Sequence, residues 1–359
     1  MRSSFVLAVA SALVVACGGG KSPTPPPVDT TSTTGYRNPV LDQDFPDPSV
    51  IKVGGTYWAY ATQTVLGNGQ RINIQSASST DLVHWTYGND VLPTRPSWSN
   101  YVWNYWAPHV IHAADQSTYI MYYSAPADTS GMCIAIATSA TPQGPFTDAG
   151  SPLTCGDSFD HIDPMEFDDP VSGKHYLYWG SAGAPISARE LDATLMHFTA
   201  TSTAVPVLQP SGAPYESLIE GPWVIKRGDW YYLFYSGDAC CGPNPHYAVL
   251  VARSTSPTGP YQKHGAALGT DSSAILTGDD RFKGPGHNAI ITDAAGNDWI
   301  VYHAVDPNKP TLTTGGVRRP MLIDRIRYDA NGWPYVEGGH PSHANTTPPA
   351  VAPWRNANQ

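Results

Sequence analysis

Apolar and polar positions alternate along this chain in short runs, and almost nowhere do the apolar ones fall at the three-and-four spacing of a helix. One run sets the pattern. The segment Asp47-Pro48-Ser49-Val50-Ile51 passes through a Gly54-Gly55 turn into Thr56-Tyr57-Trp58-Ala59-Tyr60, which predicts a strand, a tight turn and a strand with alternating aromatics. Versions of this unit recur at roughly 60-residue intervals. Their second strands end at Tyr60, Tyr122, Tyr178, Tyr235 and Tyr302, and their first strands open at Asp47, Ala107, Asp163, Glu220 and His287. A third strand and a punctuated corner follow each time, as in Ser139-Ala140-Thr141-Pro142-Gln143-Gly144-Pro145-Phe146. Five such units predict an all-β, five-bladed β-propeller.

The first strand of each blade lines a propeller's axis, so the five opening residues converge at one end. Three carboxylates and a histidine gathered there would repel one another and lose hydration, which points to chemistry and away from a structural role. The nearby acids Asp42, Asp44, Glu166, Asp168, Asp169 and Glu216 lie off these equivalent positions and stay outside the predicted site.

Composition supports the fold. Only 14% of the 359 residues are charged, against about 25% in an ordinary domain, while 33 glycines and 34 prolines favour turns over helices. The net charge of −10, without a basic run, argues against nucleic acid or an anionic membrane surface as partner. A neutral substrate fits better.

The chain divides into four expected parts. Residues 1–17 read as a secretory signal, with one early arginine and an apolar run too short to span a bilayer stably. Its end, Val14-Val15-Ala16-Cys17, resembles the lipobox of bacterial lipoproteins, which makes Cys17 a lipid anchor; the other reading is an ordinary signal peptide with an incidental cysteine. Residues 18–35 form a disordered Gly, Pro, Ser and Thr tether, 36–340 the propeller and 341–359 a tail. This organisation implies export across a bacterial inner membrane and anchoring at a periplasmic or outer-membrane surface, with membrane contact only through the lipid. Cys133 and Cys155 flank one hairpin of the second blade and suit a disulfide in an oxidising compartment. For the adjacent Cys240 and Cys241, a vicinal disulfide and two buried thiols stand as the main readings, with metal binding beside His246 a weaker one.

Glycosidic cleavage needs one protonated carboxylic acid for the leaving oxygen and one carboxylate to activate water or attack directly. A third carboxylate helps keep the acid protonated. Asp47, Asp163 and Glu220 meet that need.

The residues that carry this pattern resemble the family 43 glycoside hydrolases over about Tyr36 to Val336. They are Asn38-Pro39-Val40, Phe45-Pro46-Asp47-Pro48-Ser49, Trp106-Ala107-Pro108, Ile162-Asp163-Pro164, Glu220-Gly221-Pro222, Gly284-Pro285-Gly286-His287-Asn288, Arg319 and Gly332-Trp333-Pro334. The resemblance implies an inverting enzyme in which Asp47 is the general base, Glu220 the general acid, and Asp163 raises the pKa of Glu220 and orients it. Base and acid would then stand about 6.5 to 9.5 Å apart. It also implies that His287 faces a calcium or other cation in the channel through water, and that Arg319 contacts the sugar or the carboxylates. Phe45 and Trp106 would be sugar-stacking walls.

Substrates implied by the resemblance are α-L-arabinofuranosides, arabinan and β-xylosides, with some galactans, so the expected partner is a plant cell-wall oligosaccharide or polysaccharide. The Gly284–Asn288 segment and the strand Asp298–Ala304 look more like the arabinan-acting branches. The short tail after Pro334 lacks the β-sandwich that many xylosidases of the family carry. A β-D-xylosidase of the same fold remains the alternative, and beyond it a non-catalytic sugar-binding or purely structural propeller. A lectin would need like sites in every blade, and Ala107 and His287 break that symmetry. The Asn-Asp-Pro-Asn-Gly motif of a related fructan-acting family is absent.

Overall fold

A computed structural model describes residues 35–113, 117–128, 131–181, 183–242 and 244–351. Cys17, the signal segment and all of the tether except Gly35 lie outside the described residues. Within them, five antiparallel sheets follow one another in chain order, each built on at least four strands. The first consists of Ser49–Val53, Thr56–Ala61, Gln75–Ser79 and Trp85–Tyr87. The inner strands of the blades are Ser49–Val53, Trp106–His112, Met165–Asp168, Ile219–Arg227 and Lys283–Thr292. Each touches the next, and the last touches the first, so they close a ring about the axis.

Apolar clusters fill the wedges between adjacent blades. Phe45, Ala59, Trp299 and Ile323 seal blade five against blade one, for example, and Tyr60, Val91, Met121 and Phe146 seal blade one against blade two. Tyrosines of the first four blades add a stitch to the corner of the next: Tyr60 donates to the Pro142 carbonyl at 2.8 Å, Tyr122 to Leu195 at 2.6 Å, Tyr178 to Pro257 at 2.5 Å, and Tyr232 to Gly332.

Among the described residues, no strand is exchanged to close the ring. Instead residues 36–45 lie along the third strand of blade five, with the bridge Leu41 to Met321 and the Asn38 amide donating to the Ile323 carbonyl at 2.9 Å.

One alignment made from the sequence shifts. The innermost residue of each blade adopts a left-handed backbone: Asp47 (φ 56°), Ala107 (43°), Asp163 (56°), Gly221 (59°) and His287 (49°). The equivalent of Asp47 in blade four is therefore Gly221, and Glu220 stands one residue earlier. Cross-strand pairing moves the tails likewise: Ser49 faces Tyr60, whereas Trp223 faces Phe234 and Ala289 faces Val301, one residue before the aligned tyrosines.

Candidate active site

The left-handed turn at each inner-strand head leaves its N–H pointing sideways, toward the preceding blade. A side chain two residues beyond the Tyr60-equivalent position catches it in four blades. Ala107 N donates to Thr62 Oγ1 at 2.8 Å, Asp163 N to Ser124 Oγ at 3.2 Å, His287 N to Ser236 Oγ at 2.8 Å, and Asp47 N to His303 Nδ1 at 3.0 Å. Blade three carries Gly180 at this position and offers no side chain. The Gly221 N–H turns to Asp163 Oδ2 instead, at 3.0 Å.

Asp47 is buried and strongly paired. Thr62 Oγ1 donates to its Oδ2 at 2.6 Å and Arg319 Nη1 to its Oδ1 at 3.0 Å. Burial alone would raise its pKa, but the Arg319 guanidinium, then His287 and His303, hold it well below the ordinary carboxylate range. His303 Nδ1 already accepts the Asp47 N–H, so this ring is neutral and Arg319 is the cation that matters. Burial agrees, pushing the His303 pKa down to about 4.

Glu220 has the opposite environment. Burial raises its pKa, the hydrogen bond from Tyr247 at 2.7 Å pulls it back, the Asp47 charge adds to the rise and Arg319 offsets part of it; the outcome is about 7. Asp163 is raised well above its ordinary value, by burial first and then by the charges of Glu220 and Asp47. Two buried carboxyls so close keep a proton between them. The Gly221 N–H favours charge on Asp163 at 3.0 Å, as the Tyr247 hydroxyl does on Glu220 at 2.7 Å.

These groups line a cavity of about 390 Å³, walled by Trp106, Phe159, Ile162, Leu218 and the Cys240–Cys241 disulfide. Trp106 stacks on Phe159 with centroids 5.6 Å apart. A second depression of about 260 Å³, with Trp103, Gln63 and Thr314 in its wall, shares Trp106, Cys241 and Arg319 with the first.

The structure thus brings together Asp47, Asp163, Glu220, His287, Arg319 and Trp106. His287 Nδ1 lies 3.5 Å from Asp47 Oδ1 and 3.9 Å from Asp163 Oδ2. Phe45 does not join them. It is 0% exposed and packs edge-on against Tyr87 at 6.3 Å, so it is a core residue and no sugar can reach its face. Cys133 and Cys155 are bonded, as are Cys240 and Cys241, and His246 pairs with Asp238.

Sequence reasoning missed Thr62, Tyr247, His303, Phe159 and Asp44. Asp44 accepts from Arg319 N at 2.9 Å and from Thr64 at 2.6 Å, and so anchors the arginine's backbone. Thr62 and Ser124 were findable, because each stands two residues past its aligned tyrosine, whereas Ser236 stands one past Tyr235 and falls into step only in the structural register.

Behind the heads a void of about 10 Å³, the size of one water or one ion, touches Ser49, His109 and Asn288. Ser49 Oγ, both His109 nitrogens and both Asn288 amide atoms are buried without hydrogen-bond partners. Their neutral oxygens suit a hard cation that keeps part of its water shell, with His287 lining the same void.

A ring of inner strands delivering one depressed and two raised carboxyls to a sugar-sized cavity defines a carboxylate-based hydrolase. The chain belongs to family 43 of the glycosyl hydrolases, whose model matches residues 36–334. It is 32% identical over 321 residues to a probable arabinan endo-1,5-α-L-arabinosidase A of Aspergillus flavus, covering 84% of this chain and 94% of that one. Similarity to an extracellular endo-α-(1→5)-L-arabinanase of Bacillus subtilis is also 32%, over 302 residues, covering 80% and 86%. Among solved structures, a thermostable family-43 glycoside hydrolase superposes with a TM-score of 0.69 at 26% identity, over 89% of this chain and 100% of that chain.

Proposed function

We propose that this enzyme is an inverting, secreted arabinan-degrading hydrolase that cuts within the polymer. The observation that carries the mechanism is the split between Asp47, held ionised by Arg319, and Glu220, raised to about 7 by burial. Asp47 takes a proton from the attacking water. Glu220 gives its proton to the leaving glycosidic oxygen; Tyr247 occupies Oε1 and leaves the other oxygen free to donate. Asp163, raised beside Glu220, would share a proton with it, and Trp106 with Phe159 offers an apolar face to the sugar.

Arabinan is favoured over xylan by the names of the two curated relatives. Internal cleavage is supported by the two depressions that meet at Trp106, Cys241 and Arg319, which give a chain room on both sides of the acid pair. Trp103, 51% exposed, stands on the far side as a further platform. Secretion is supported by the word extracellular in the Bacillus relative's name. Cys17 would supply the anchor. A calcium ion in the channel, held by Ser49, Asn288 and His287 through water, would supply electrostatic support behind the carboxylates.

The test is hydrolysis of linear arabinan, aryl α-L-arabinofuranoside and aryl β-D-xyloside by the wild type and a Glu220→Ala variant, followed by proton NMR and product sizing. The expected result is mixed oligosaccharides of inverted configuration from arabinan, lost in the variant. Xylose release would overturn the substrate, retained configuration the mechanism, and a single short product the internal mode. Loss of turnover on chelation, reversed by calcium, would support the ion; indifference would remove it.

A further inference from the structure

We propose that Glu166, Asp168 and His175 form a site for one divalent transition-metal ion of the Zn²⁺ type, on the flank of blade three that faces blade two. The residues lie on the first two strands of the blade, Met165–Asp168 and His175–Trp179. Asp168 pairs directly across from His175, and Glu166 is two residues from Asp168, so all three side chains leave the same face. One ligand atom from each lies within 4.8 Å of the other two. An ion with bonds of about 2.0 to 2.2 Å fits that spread with modest closure.

The independent sign is Glu166. This side chain is only 4% exposed, yet its Oε1 has no hydrogen-bond partner and points toward His175 Nδ1 at 3.9 Å. A buried carboxylate oxygen without a partner is costly, and the neighbouring Asp168 carboxylate makes it more so. The group needs either a proton or a cation. A metal satisfies both carboxylates at once and takes the imidazole nitrogen that otherwise serves Asp168.

Donor chemistry selects the metal. Calcium takes six to eight oxygens, whereas one imidazole and two carboxylates suit Zn²⁺ and its first-row neighbours. The Asp168 side chain is 61% exposed, so water completes the coordination and the ion enters from solvent. These residues belong to neither cavity that meets at the acid pair. Bound metal would clamp the first two strands of blade three and leave arabinan turnover unchanged.

The experiment uses the full chain without a polyhistidine tag, stripped with chelator, reloaded with ZnCl₂ and desalted. Zinc per chain is measured by mass spectrometry, and affinity by titration, for the wild type, Glu166→Gln, Asp168→Asn and His175→Asn. The expected result is one equivalent more in the wild type than in each variant, with affinity weakened at least about 100-fold by loss of a ligand. A zinc-dependent rise in Tm should vanish with it. Equal zinc content in wild type and variants overturns the site, and binding of calcium but not zinc by the same residues overturns the choice of metal. Asp168→Asn alters an exposed group and keeps the test decisive if Glu166→Gln fails to fold.

Discussion

Arg319 Nη1 and Asp47 Oδ1 stand 3.0 Å apart, although 272 residues separate them in the chain. The first blade supplies the carboxylate and the last supplies its cation. Replacing Arg319 with Met should remove the main force holding Asp47 ionised and leave burial to raise its pKa. Activity on the acid side is lost as pH falls through that pKa, so the acid limb of the kcat/KM profile should move to higher pH. Loss at the optimum should be about 100-fold to 1,000-fold, as for removal of a buried electrostatic partner. An unmoved acid limb would refute this role for Arg319.

As the proposed general acid, Glu220 would work only while protonated. With its pKa at about 7, kcat/KM should be full below that pH and fall as pH rises through it. Tyr247→Phe removes the hydrogen bond that lowers this pKa, so the alkaline limb should shift upward in the variant. A downward shift in a pH series on arabinan would contradict the assignment.

Gly286 is a spacing residue for Tyr247. A Cβ there would come within 2.1 Å of the tyrosine ring. Gly286→Ala should therefore destabilise the fold by roughly 1 to 3 kcal/mol, as overpacking does, and lower kcat through the displaced hydroxyl. Urea midpoints measured beside kcat would show both effects, and a variant equal to wild type in both would disprove the contact's importance.

The Cys133–Cys155 disulfide closes a loop with a sequence separation of 22. Changing both cysteines to alanine should cost roughly 3 kcal/mol by loss of cross-linking in the unfolded chain. Because the bridge lines neither cavity that meets at the acid pair, kcat on arabinan should stay at the wild-type level well below the melting temperature. A fall in kcat without a fall in Tm would refute the purely structural role.

The blades were legible because their signal is local: an alternating strand, a glycine turn and an aromatic strand declare themselves within a few residues. Asp47, Asp163 and His287 were legible for the same reason. Glu220 was found by a misaligned repeat, since the left-handed residue of blade four is Gly221 and its Gly-Pro pair matches Asp47-Pro48, Ala107-Pro108 and Asp163-Pro164. Phe45 misled because the left-handed turn at Asp47 breaks strict alternation, so Phe45 packs into the core although it is two residues from the carboxylate. His303 holds the same recurring position as Thr62, Ser124 and Ser236 but lies in a blade whose tail aligns one residue off. Tyr247 comes from the third strand of blade four and reaches Glu220 on the first strand of the same blade, a contact that leaves no periodic trace.

The seam of the ring also carries Arg319, the cation paired with Asp47. Phe45 N donates to the Arg319 carbonyl, and Asp44 accepts from Arg319 N. A ribosome makes blade five last, so a chain that has folded four blades already owns Asp47, Asp163 and Glu220 yet has neither Arg319 nor His303 to complete them. On the proposed mechanism, such an intermediate would lack the cation that holds Asp47 ionised until blade five closes the ring.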